Sequence, residues 1–136
     1  MSVTLIAMAA AAATHNVQID HGGKPVQVTY SARTEYVTKT VGAKTPNRMS
    51  TQRCQWTAKV MVDRSLNQGP ALARTVSSDK RYSGSEHGAC IGGSRAAERH
   101  MAQHQAEIRD HVIAVAERDR GPLLAELDAV RNLASN

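Results

Sequence analysis

Residues 51–64 alternate between two kinds of side chain. Cys54, Trp56, Ala58, Val60 and Val62 fall on one side, and Arg53, Gln55, Thr57, Lys59, Met61 and Asp63 on the other. A period of two over this length describes a strand with one face buried and the other wet. A slip of one residue would turn every apolar group outward, so the segment fixes a sheet and its register together.

Residues 26–41 repeat the pattern. Val26, Val28, Tyr30, Ala32 and Tyr36 share one face, and Gln27, Thr29, Ser31, Arg33 and Glu35 share the other. Residues 21–25 (HGGKP), 42–50 and 67–70 have turn composition. A weaker strand is expected over 72–77, with Leu72 and Val76 on one side and Arg74 between them. Residues 78–93 are polar and rich in Gly and Ser, and read as a loop. Short turns between successive strands imply an antiparallel meander, and one face of it has to be covered.

The cover must come from the C-terminal half. Ala97, Met101, Ile108, Val112 and Val115 recur at helical spacing, followed by Leu123, Leu124, Leu127 and Val130. Gly92 and Gly93 precede Ser94, a candidate N-cap, and Gly121-Pro122 is a stop or kink signal. The expected fold is α+β: a three-stranded antiparallel meander, with room for a fourth strand, under a long C-terminal helix. The sheet spans about 24–77 and the loop 78–93. The helices cover about 94–120 and 122–134, the long helix being kinked or broken at Gly121-Pro122. Residues 15–136 then form one domain.

The chain opens with an apolar run over residues 3–13, too short to span a bilayer as a helix. It fits the hydrophobic region of a secretory signal, with cleavage near Ala13 or Thr14, although no Lys or Arg precedes it. The alternative is an N-terminal helix docked on the domain. Cys54 and Cys90 are the two cysteines and lack metal or redox spacing. In an oxidising compartment they pair most simply as a disulfide. It closes a loop of about 35 residues, worth about 4 kcal/mol in the chain-entropy picture. Aromatic residues make up 3% of 136 residues, so the core rests on aliphatic side chains and a crosslink carries more weight. Periplasmic or secreted placement follows, with no integral membrane segment in the mature chain.

The net charge of +5 is unevenly spread. Residues 20–85 carry eleven Lys and Arg against four Asp and Glu, and residues 86–136 carry six against eight. The sheet is basic and the helical cover mildly acidic. Arg33, Lys39, Arg53 and Lys59 lie on the polar strand faces and form a candidate anion-binding surface. Solvated charge and protection of strand edges by Lys explain the same residues without a ligand. Tyr30, Tyr36 and Trp56 fall on the opposite face, which, with export, argues against a nucleic-acid partner.

His100, His104, Glu107 and His111 form a stripe within a sector of about 60° on a helix. A His pair at i, i+4 can grip Zn or Cu, with Glu107 one turn on or His87 upstream as a third ligand. A polar helix flank is the plainer account. The spacing lacks the Glu that follows the first His in zincin proteases. A Gly-rich helix start at 92–95 offers backbone N–H groups to an anion, as any such start does. No P-loop, serine-hydrolase elbow or dinucleotide fingerprint occurs.

The expectation is a small exported, disulfide-stapled binding or structural protein without catalytic activity, meeting a protein or an anionic envelope polymer. The alternatives are a metal-binding protein using the histidine stripe and a small hydrolase with an unrecognised site.

Overall fold

The computed structural model describes residues 13–43, 51–67 and 72–135. Four strands follow in order: β1 (Thr14–His21), β2 (Lys24–Val41), β3 (Arg53–Leu66) and β4 (Arg74–His87). They form one sheet in the order β1-β2-β3-β4, with every neighbouring pair antiparallel. Helix α1 (Arg95–Met101), a 3-10 turn (Ala102–His104) and helix α2 (Gln105–Ser135) complete the chain. The α+β meander under a C-terminal helix is the fold expected from the sequence, with the fourth strand present.

The register keeps every alternation intact. Tyr30 faces Arg64, Ala32 faces Val62 and Thr38 faces Trp56, all on the helix side. The core has two parts. Ile19, Val26, Val28, Tyr30 and Val62 pack on Val112, Val115, Ala116, Leu123 and Leu127. Trp56, Ala58 and Val60 pack on Ala97, Met101 and Ile108. The other face of the sheet carries no helix among the described residues.

Two strand boundaries differ from expectation. The sheet begins at Thr14 because residues 14–21 alternate too, with Val17 and Ile19 packed on the core. The HGG turn closes the β1–β2 hairpin, where Gly22 (φ 61°) and Gly23 (φ 78°) give the two positive φ values of a type I′ turn. The segment expected as a loop over 78–93 is largely strand, since β4 continues to His87. It escaped the hydrophobic pattern because an edge strand meeting a polar helix flank needs few apolar groups. Residues 1–12, which hold most of the expected export signal, lie outside the described residues, as do 44–50 and 68–70 of the expected turns.

The helix is not broken at Gly121-Pro122. Helix α2 runs through Pro122, and the interruption falls earlier, in the 3-10 turn. Pro122 and Arg118 are both exposed, so the carbonyl that Pro122 leaves without a helical donor faces water. Ser94 does occupy the N-cap of α1, but its hydroxyl makes no capping bond to the backbone. It donates instead to the Glu98 carboxylate at 3.2 Å.

Candidate functional site

Cys54 and Cys90 are joined by a disulfide. Cys54 is buried at the start of β3, and Cys90 lies in the segment between β4 and α1. The Cys90 backbone N–H donates to Thr40 Oγ1 at 2.9 Å, and Gly88 N–H donates to Gln52 O at 2.7 Å. The connection into α1 is thus held to both β2 and β3 at one end of the sheet.

The histidine stripe meets the helix-facing side of β4. His100 stacks on Trp56 with ring centroids 5.4 Å apart, and its Nε2 lies 3.2 Å from Glu86. Gly84 lies across from Trp56 and makes room for the indole. The His104 ring sits 4.5 Å from that of Tyr82, whose hydroxyl donates to Glu107 at 2.9 Å. His104 Nδ1 is 3.4 Å from the same carboxylate, close enough for charge attraction but without hydrogen-bond geometry. The Tyr82 bond holds the Glu107 carboxyl below its usual range. Burial, with that bond, pushes the Tyr82 phenol up to about 12. Burial, helped by the Lys80 and Arg118 charges and opposed by Asp79, lowers the His111 pKa. Each imidazole has its own surroundings, and no three His, Cys, Asp or Glu groups converge on one point among the described residues. His87 pairs with Arg53 on the outward face, away from His100.

The sequence reading missed Arg64. It continues the apolar row Val60, Val62, and its side chain is completely buried. Its Nε and Nη2 donate to Leu72 O at 3.1 Å, Nη1 donates to Asp119 at 2.8 Å, and Nη2 donates to Glu126. The Tyr30 hydroxyl donates to the same Asp119 oxygen at 2.7 Å, and Arg74 reaches Glu126 at 2.7 Å. Burial opposes the Arg64 charge, but the two carboxylates outweigh it and its pKa rises. Burial and the bond to Asp119 push the Tyr30 phenol above its ordinary range. Period-two counting carried two residues past Val62 would have placed Arg64 inside. Beside this knot, Arg74, Ser77, Asp79, Arg118 and Pro122 line an open groove of about 340 Å³ between β4 and α2.

The four cations expected on the outer sheet face all lie there, but they differ in state. Arg33 is paired with Asp63 and Glu35, each at 2.9 Å, and Asp63 is held below its usual range by that bond. Arg53 donates to Ser85 Oγ at 3.1 Å, which leaves its charge unneutralised. Lys59 stands between Glu35 on β2 and Arg81 on β4. Lys39 is exposed beside Gln55. Arg81, absent from the sequence reading because its segment was read as a loop, joins this face. Between the cations stand Gln55, Thr57, Ser83 and Ser85. No helix among the described residues is long and apolar enough to cross a membrane.

Fold and surfaces together define a small disulfide-linked α+β protein with one face of its sheet uncovered by helix among the described residues. The chain matches no family model, no curated protein and no solved structure.

Proposed function

We propose that the chain is a small exported binding protein of the periplasm or cell exterior, whose open sheet face takes an anionic envelope polymer. Its role is binding and not catalysis. The observation that carries this reading is the outer face itself. Lys39, Arg53, Lys59 and Arg81 stand there without an ion pair among the described residues, set among hydroxyl and amide side chains. Like-signed charges spread over an uncovered surface attract a polyanion and release its counterions. The disulfide supports placement in an oxidising compartment.

Equilibrium binding to dextran sulfate and polyphosphate, with neutral dextran as control, tests the reading. Binding should weaken steeply as salt rises. Lys59→Gln with Arg81→Gln should reduce the slope of log affinity against log salt by about 2. Affinity that ignores both salt and these substitutions would overturn it.

A further inference from the structure

Strand β2 is longer than the neighbour on its outer edge. Its pairing with β1 stops at Ser31, opposite Thr14, with one further bond from Ala32 N–H to Ala13 O. Pairing with β3 continues to Val41. Over residues 33–41, therefore, one edge of β2 has no strand beside it among the described residues. The Ala32 bond fixes which groups face that edge. Backbone direction alternates along a strand, so the N–H and C=O groups of Thr34, Tyr36, Thr38 and Thr40 point toward it, and those of Arg33, Glu35, Val37, Lys39 and Val41 point toward β3.

The side chains along this edge are self-complementary. Glu35 and Lys39 flank Val37 symmetrically, and all three lie on the outer face. Val37 is 69% exposed. Two copies of this edge can pair antiparallel about a two-fold axis only with even residues facing even ones. A dyad at Glu35 or Lys39 sets like charges against themselves. A dyad at Tyr36 sets Arg33 against Lys39. A dyad at Thr38 leaves Glu35 and Lys39 without each other. A dyad at Val37 places Glu35 opposite Lys39 of the second copy, twice over, and Val37 opposite Val37. In that register Tyr36 and Thr38 exchange backbone hydrogen bonds across the axis, as do Thr34 and Thr40. The charged pairs fall at the closer, non-hydrogen-bonded positions, where cross-strand side chains interact most strongly.

We propose that the occupant of this edge is a second copy of the chain, joined β2 to β2 about Val37. Facing residues project to the same side, so the two sheets become one of eight strands with both outer faces on one surface. Lys39 is then satisfied by Glu35 of the second copy, and Arg53, Lys59 and Arg81 of both copies share one continuous face. Strand β4, at the other edge, is a poorer template, because register shifts opposite residues 60–63 bend it. The contact is independent of any polymer ligand, so its test needs none.

Sedimentation equilibrium of the purified full chain should reveal a dimer. Lys39→Glu or Glu35→Lys alone should weaken it at least about tenfold, since each change turns both attractive pairs repulsive. The two single variants mixed together should form a heterodimer, and the double exchange should restore the homodimer. Thr38→Pro removes an N–H that faces this edge and none that faces β3, so it should give a folded monomer. Amide exchange at Tyr36 and Thr38 should slow as protein concentration rises. A monomer at all concentrations, whatever else covers the edge, would overturn the proposal, as would a dimer indifferent to the charge exchanges.

Discussion

Gly84 marks a position where the fold cannot accept a side chain. A Cβ built there would lie 2.6 Å from Trp56 Cζ2, and the indole is itself wedged against His100. Gly84→Ala should cost about 1–3 kcal/mol by overpacking, read by chemical denaturation. Arg64 poses the opposite problem. Arg64→Met leaves Asp119 and Glu126 without their buried cation, and should cost about 3–5 kcal/mol. Tyr30→Phe removes one hydrogen bond from the same knot and should cost about 1 kcal/mol. Equal losses from the two variants would contradict the central place given to Arg64. His111 brings a pH dependence. Burial depresses its folded pKa below 6.5, so the folded state binds fewer protons than the unfolded state in that window. Stability is full above 6.5 and falls as the pH drops through the lower folded value. His111→Gln should flatten that part of a stability-against-pH curve, while the acid loss at lower pH from Asp63 and Glu107 persists.

At the scale of elements, α2 tolerates a proline because of where it falls. Pro122 lies on the solvent side while Leu123 and Leu127 turn inward. Tertiary packing of the apolar stripe carries the helix through a residue that would end an isolated one. Pro122→Ala restores a helical donor on an exposed face, and should stabilise by roughly 1–3 kcal/mol. A thermal melt unchanged by the substitution would mean that Pro122 packs against the groove it lines. Strand β4 was harder to read, for a related reason. Its helix-facing residues Lys80, Tyr82, Gly84 and Glu86 serve the histidines and the indole instead of an aliphatic core, so hydrophobicity does not alternate along it.

At the scale of the molecule, the disulfide ties the sheet to the connection that leads into α1. Cys54 and Cys90 are separated by 36 residues, and the closed loop contains β3, β4 and their connection. Replacing both by Ala should cost about 4 kcal/mol if the crosslink acts chiefly by restricting the unfolded chain. Denaturation of the double variant beside the reduced wild type checks this. With few aromatic residues in the core, that loss is a large fraction of the stability of a domain this size. Among the described residues one sheet face stays uncovered by helix, and that asymmetry supports both the polymer-binding reading and the β2 edge contact.

The sequence by itself determined whatever follows from periodicity and counting. The alternations at 26–41 and 51–64 set two strands, their inward faces and their antiparallel order. The helical spacing from Ala97 onward set the cover, and two cysteines without metal spacing set the bond. These are local patterns, and each is repeated often enough to outweigh its exceptions. The tertiary structure decided whatever depends on a partner distant in the chain. Arg64 is an internal cation because Asp119 and Glu126 reach it from α2. Arg33 is neutralised by Asp63 across the register, while Arg81 becomes part of the basic face because β4 is a strand. The histidines divide among Glu86, Tyr82 and Glu107 and the surroundings of Asp79, because α1 and α2 lie along the polar side of β4. Charge and hydrogen bonding act through distances, and residues 14 to 62 positions apart acquire a distance only when the chain has folded.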